Sequence, residues 1–173
     1  IAAKKSKHIK KILVSTDCSK IKKISKKYNP IFIKRPKYLT TNKVLGEEVF
    51  KHAYLNSIKI LGLSKKDIEL VVLLFANAGT INTKMIDKGI EILRKNKKFD
   101  SAVSTSIYNM WSPLRARKLD PKTGCLKPFV PFKTFGEVSK LNCDRNSQGD
   151  VYYADMSVSV VRPYCLENIK NSL

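Results

Sequence analysis

The chain has 173 residues, with 34 Lys and Arg against 14 Asp and Glu, a formal net charge of +20. With 43% hydrophobic and 28% charged residues it has the make-up of a globular domain with a real core, which excludes disordered, collagenous and disulfide-stapled classes. Apolar runs such as 71–76 are far shorter than the roughly 18 residues a membrane span needs, so no engagement with a membrane is expected.

The charge is carried mainly by Lys, with only six Arg. Such a balance suits a polyanion, a phosphate-bearing small substrate, or no partner at all if the lysines simply coat solvated helix faces. The lysines are dispersed and do not interleave with aromatic residues, which sets nucleic acid below the other readings. The four cysteines (Cys18, Cys125, Cys143, Cys165) form no C-x-x-C pair, so a reduced cytoplasmic protein without a zinc site is expected. His8 and His52 sit among lysines and read as surface residues. The chain begins with Ile1 rather than Met, and a fragment is expected.

In chain order, "KKILVSTD" (10–17) is a β-branched run, and Ser19 is placed to cap the helix that follows, striped by Ile21, Ile24 and Tyr28. "PIFIKRP" (30–36) is a second short strand. "EEVFKHAYLNSIKIL" (47–61) carries Phe50, Tyr54, Ser57 and Leu61 on one helical face, with Glu47 and Glu48 at the positive helix start. "IELVVLLFA" (68–76) is continuously apolar, as a strand covered on both faces must be. Asn82 or Thr83 caps a helix striped by Ile86, Ile90 and Leu93, and "DSAVSTSIY" (100–108) is a further strand. Alternating strands and helices predict an α/β fold with a mostly parallel, Rossmann-like sheet flanked by helices. From 111 to 133 two extended segments flank "DPKTG" (120–124), a β-hairpin projecting from a single domain spanning 1–173. "GDVYYADMSVSVVRP" (149–163) returns as a long strand.

Ligands of open α/β sheets gather at the carboxyl ends of the strands. Three such ends are polar: 15–17, 77–80 and 108–109. Asn77 offers donors and acceptors, and Gly79 allows close backbone approach. Arg115 and Arg117 alternate with Leu114 and Ala116, so an extended strand would aim both guanidinium groups to one side, suited to a carboxylate or phosphate. Arg145, Gln148 and Asp150 form a polar cluster before the last strand. No triad, H-E-x-x-H or P-loop occurs, so any chemistry rests on positioning and charge neutralisation, as in phosphoryl or nucleotidyl transfer. No catalytic residue and no metal ligand can be named.

The succession "KKILVSTDCSKIKKISKKY", "RPKYLTTN", "EEVFKHAYL" and "VVLLFANAGTINTKMIDKGIEIL", with the later "QGDVY" at 148–152, resembles the acylneuraminate cytidylyltransferase family. The resemblance implies a glycosyltransferase-A-like, nucleotidyltransferase-type α/β domain. It implies a cytidylyltransferase in which the anomeric hydroxyl of a 2-keto sugar acid attacks the α-phosphate of CTP, with Mg²⁺ assisting, and a homodimer formed through the 111–133 hairpin. It places Arg35 near the nucleotide, with Asn77 and Gly79 lining the nucleotide or sugar pocket. Arg115, Arg117 or Arg145 would meet the sugar carboxylate or phosphates, and Gln148 and Asp150 the sugar hydroxyls. The chain departs from the family at Asn42, where Asp is usual, and at Phe75 and Ile81, where Gln and Arg are usual. The family's triphosphate loop and its acidic metal motif have no counterpart, which fits truncation at both ends. The alternatives are a catalytically inactive binding or scaffold relative and, below that, a basic nucleic-acid-binding domain.

Overall fold

A computed structural model describes residues 1–142, 144 and 149–168. The chain divides into two compact units, one of Ile1–Ser104 with Met156–Leu173 and one of Thr105–Asp155. In order the elements are α1 (Ala2–Lys5), β1 (Leu13–Thr16), α2 (Ser19–Ser25), β2 (Ile31–Lys34), α3 (Gly46–Leu61), β3 (Val71–Leu74), α4 (Thr83–Lys95) and β4 (Ser101–Ile107). Then come β5 (Arg117–Leu119), β6 (Leu126–Pro128), β7 (Tyr152–Val161) and α5 (Pro163–Glu167), with short 3₁₀ turns between.

The first unit is the α/β body. β1 and β2 run parallel, joined through α2, with Leu13 opposite Ile31 and Thr16 opposite Lys34. β3 pairs antiparallel with β7, which lies between β3 and β4. The body thus holds a parallel two-stranded sheet and a separate three-stranded sheet in which β3 and β7 are antiparallel, rather than one mostly parallel sheet. A parallel pair needs a crossover long enough to return to the same edge, which α2 provides between β1 and β2. Among the described residues no α-helix stands between β6 and β7, so nothing obliges β7 to run parallel to β3.

β3 shows why a continuously apolar run was needed. Side chains alternate across a strand. Leu70, Val72 and Leu74 pack on the cluster of Ile86, Ile90, Leu93, Val158 and Val160, whereas Ile68, Val71 and Leu73 pack on Tyr54, Val161 and Leu166. Each large aliphatic side chain fully buried there contributes roughly 1.5–3 kcal/mol. α4 supplies the first cluster: Asn82 caps it by accepting from the Met85 N–H at 3.0 Å, and its stripe of Ile86, Ile90 and Leu93 is buried. Gly89 sits inside that helix against Val160, where a Cβ would lie 2.8 Å from the valine Cγ2. α3 supplies the second cluster through Tyr54, and closes at Gly62, whose left-handed φ of 62° lets its N–H reach Ile58 and Lys59 carbonyls.

Two sequence expectations are corrected, and one is given its setting. Ser19 is the first residue of α2 rather than its cap; the Thr16 hydroxyl takes the nearby Cys18 N–H at 3.1 Å. The expected stripe of Ile21 and Ile24 on α2 lies in solvent, 47% and 64% exposed. His8 is not a free surface group. Its ring is 18% exposed, with Nε2 3.3 Å from Glu91 and Nδ1 2.9 Å from Arg94. Arg94 in turn grips Glu69 at 2.6 Å. Hydrogen bonds from His8 and Lys7 hold the Glu91 carboxyl below the usual carboxylate range.

In the second unit the expected hairpin is present but short. β5 and β6 pair antiparallel from Arg117 opposite Pro128 to Leu119 opposite Leu126. Its turn is closed by the Asp120 N–H to the Cys125 carbonyl and the Gly124 N–H to the Asp120 carbonyl, both 2.9 Å, and Gly124 takes the left-handed φ of 68°. Lys127 pairs with the Asp120 carboxylate and, with the Lys122 N–H, holds it below its ordinary range. Much of the remaining 111–133 segment is in 3₁₀ turns, including Pro113–Arg115.

Candidate functional site

The parallel β1–β2 pair is what makes a strand edge available. Because the two strands share direction and register, their carboxyl ends stop side by side. Arg35, just past β2, binds the end of β1: its N–H reaches the Thr16 carbonyl at 3.3 Å, and its guanidinium donates to the Ser15 carbonyl at 2.8 Å and more distantly to the Ser15 hydroxyl at 3.5 Å. One guanidinium nitrogen, Nη1, has no hydrogen bond of its own among these contacts, while the other two are held. Ser15, Thr16 and Arg35 are therefore one cluster, and its cation is oriented by backbone rather than by a carboxylate.

The β3 tip lies in the same unit. After Leu74 the Phe75 N–H still joins β7 through the Ser157 carbonyl at 3.4 Å, then the chain turns, with the Ala78 N–H on the Phe75 carbonyl at 3.2 Å. Asn77 and Gly79 are exposed on this turn. Gly79 has open space where a Cβ would stand, so the fold itself does not require glycine there. Phe75 meets Phe50 of α3 edge-on, ring centroids 5.5 Å apart, and α3 also packs against β1 and β2. α3 is thus common support for the two tips.

In the second unit the structure joins Asp150 to Asn109. The Asn109 amide donates to the Asp150 carboxylate at 3.2 Å, and its oxygen accepts the Val151 N–H at 3.0 Å. Tyr108 stacks on Trp111 at 5.2 Å and meets Tyr153 edge-on at 6.0 Å, an aromatic group that the strand pattern alone did not single out; the spacing of "YNMW" and "VYYAD" was the available signal. The Arg pair is corrected in its geometry. Arg115 ends a 3₁₀ turn while Arg117 begins β5, so no single extended strand presents both. Arg117 donates to the Leu114 carbonyl at 2.9 Å and the Ala116 carbonyl at 3.1 Å, and lies 5.1 Å over the Phe132 ring. Arg145 and Gln148 lie outside the described residues.

A groove of about 570 Å³ that no sequence periodicity marks runs along α3, lined by Tyr38, Leu45, Glu47 and His52 among others. Glu47 Oε2 and His52 Nδ1 are buried without a hydrogen-bond partner, so His52 too is less a surface residue than its lysine-rich surroundings suggested. Among the described residues no group of three or more His, Cys, Asp or Glu is placed to hold a metal ion, and no helix is long and apolar enough to cross a membrane.

A mixed α/β body with a parallel strand pair, flanking helices and an antiparallel hairpin has the nucleotidyltransferase-like fold. Among solved structures with this architecture is "CMP:2-keto-3-deoxy-manno-octonic acid synthetase complexed with CTP", which matches 99% of the chain with a TM-score of 0.61 at 10% sequence identity. The chain spans 66% of that structure's length. No protein family and no curated protein matches the sequence. At so low an identity the likeness establishes the fold alone.

Proposed function

We propose that the chain is the nucleotide-handling body of a cytidylyltransferase that activates a 2-keto sugar acid. The observation that carries the reading is Arg35, held on the Ser15 carbonyl at the joint carboxyl end of the parallel strands β1 and β2, in a fold shared with a synthetase solved with CTP. Strand ends are where such sheets bind ligands, and a preoriented guanidinium stabilises phosphate charge without reorganising at the moment of reaction. In the reaction proposed, the anomeric oxygen of the sugar acid forms a bond to the α-phosphorus of CTP. The α–β phosphoanhydride bond breaks, pyrophosphate leaves, and the hydroxyl proton passes to solvent or a nearby base.

On this reading Arg35 meets the nucleotide phosphates and Asn77 and Gly79 border the same pocket. Asp150, with Gln148, takes sugar hydroxyls, and Arg115, Arg117 or Arg145 the sugar carboxylate. The described residues do not themselves build a metal site. Mg²⁺ therefore enters only as the ion a nucleoside triphosphate carries, and no step is routed through it. The sugar class is a 2-keto acid of eight or nine carbons; the eight-carbon acid is the one named for the structural neighbour. Leu119 and Leu126, paired across the hairpin and 63% and 68% exposed, favour a homodimer through that hairpin, which light scattering on the eluting protein would test. Cytoplasmic CTP suits the cytoplasm as the compartment.

The test is to incubate the protein with CTP, Mg²⁺ and a panel of eight- and nine-carbon 2-keto sugar acids while recording pyrophosphate. Release dependent on one acid is expected. Silence across the panel, from protein with intact circular dichroism, removes the enzyme reading. A binding-only relative is the second reading, favoured by Phe75 and Ile81 in the turn where the family it resembles carries Gln and Arg. It predicts CTP binding by calorimetry with no pyrophosphate.

A further inference from the structure

We propose that α2 is a docking face for an anionic phospholipid surface, with Ile21 and Ile24 entering the interface and the surrounding lysines meeting lipid phosphates. The inference does not depend on the catalytic proposal. It starts from an imbalance in the charge. Residues 1–46 hold fourteen basic residues and one acidic residue, Asp17, and the stretch 18–46 holds nine basic residues and no acidic one. More than half of the net charge of +20 therefore sits in about a quarter of the chain.

Within that stretch α2 and the 3₁₀ turn after it (Lys26–Tyr28) carry Lys20, Lys22, Lys23, Lys26 and Lys27. Among the described residues none of these five is paired with a carboxylate. Ile21 and Ile24 are three residues apart and so share one helical face. Lys20 and Lys22 flank Ile21 at about 100° to either side. An apolar stripe of this kind ordinarily faces the core, yet here Ile21 is 47% and Ile24 64% exposed. A helix with its aliphatic face in solvent and cations on both flanks matches an acidic bilayer surface: the isoleucines reach the acyl boundary and the lysine stems lie along it with their ammonium groups at the phosphates.

Charge alone would also suit nucleic acid. The side chains favour lipid. Isoleucine has no π-face on which a base can stack, and stacking with Arg contacts is what single strands require. Arg35, the one Arg between residues 1 and 93, is already held on Ser15. The expectation of no membrane engagement rested on the lack of a spanning segment, and a peripheral docking face needs none. What points to such a face is the exposure of the Ile21 and Ile24 stripe.

The experiment is co-sedimentation of the protein with vesicles of phosphatidylcholine alone and with about one-third phosphatidylglycerol. Expected is binding to the anionic vesicles only, weakened roughly fivefold per lysine removed from α2. The double variant Ile21→Ser/Ile24→Ser keeps every charge and should lose roughly tenfold or more in vesicle affinity. Both residues are exposed, so its circular dichroism should be unchanged. The pair Lys95→Gln/Lys98→Gln removes two charges elsewhere and should weaken binding far less than Lys20→Gln/Lys23→Gln. Equal binding by the isoleucine variant means bare electrostatic adhesion and overturns the proposal, as does absence of vesicle binding. Binding to a single-stranded oligonucleotide that is lost in the isoleucine variant, without vesicle binding, assigns the face to nucleic acid. A concentration-dependent dimer lost in that variant, again without vesicle binding, assigns it to a second copy of the chain.

Discussion

Gly89→Ala is a substitution for which two physical effects of similar size oppose each other, and the structure decides the sign. Gly89 lies within α4 (Thr83–Lys95), where replacing glycine by alanine ordinarily stabilises by about 1 kcal/mol. The new Cβ, however, would stand 2.8 Å from Val160 Cγ2, whereas carbon atoms rest at about 3.5–4.0 Å. Roughly an ångström of overlap must be absorbed. Val160 cannot readily turn away, because a β-branched side chain is stiff at χ1. It is also fully buried on β7, which has a strand on each side. Overpacking of this kind costs about 1–3 kcal/mol. The net expectation is a destabilisation of about 1 kcal/mol, or roughly 2–4 °C in Tm for a chain of this size. Urea denaturation followed by circular dichroism measures it. Val160→Ala alone should cost roughly 2 kcal/mol by leaving a cavity, while the double variant should be more stable than Val160→Ala, since the added methyl enters the vacated space. A Gly89→Ala protein that is more stable than the parent by the full helix-propensity increment would show that α4 does not approach the sheet as closely as described.

Asn82→Ala removes the side chain that accepts the Met85 N–H and should cost about 1 kcal/mol in the same assay; no change would mean the cap is supplied otherwise. Tyr54, pushed up to about 12 by burial and by its bond to Glu167, binds its proton more tightly folded than unfolded. Its contribution is complete below about pH 10 and is lost as pH rises through about 12, so the alkaline decline in stability should be shallower in Tyr54→Phe, and an identical decline would refute the assignment. Under the proposed function, Arg35→Ala should lower kcat/KM for CTP by about 10- to 100-fold while shifting Tm by a few degrees at most. Unchanged kinetics in a folded variant would remove Arg35 from the site.

The periodic elements were legible because they obey one local rule each. A continuous apolar run at 68–76 requires two covered faces, and it has them: odd and even residues of β3 pack on different clusters. Ile86, Ile90 and Leu93 fall three and four apart, and all three are buried. The direction of β7 was not legible, because strand direction depends on the path of the chain between elements and leaves no mark in side-chain alternation. The covering of α2 was not legible either. A stripe of Ile21 and Ile24 records which side of a helix is apolar, but not whether anything lies against it.

The same distinction separates Arg35 of the first unit from the Arg pair of the second. Arg35 could be placed near a strand end from "IFIKRP" alone, since the end of an apolar run fixes where a tip is, and parallel pairing then brought it onto Ser15. For Arg115 and Arg117 the inference assumed an extended backbone, and Pro113 defeats that assumption: proline fixes φ near −65° and opens the 3₁₀ turn that carries Arg115. Arg117 is left to donate to the Leu114 and Ala116 carbonyls and to cover Phe132. A guanidinium so engaged must release those bonds before it can hold a carboxylate bidentately, so of the two cations Arg35, whose anchoring leaves Nη1 uncommitted, needs the smaller rearrangement to meet a phosphate. That ordering predicts that nucleotide binding precedes sugar binding, and product-inhibition patterns showing random addition would contradict it.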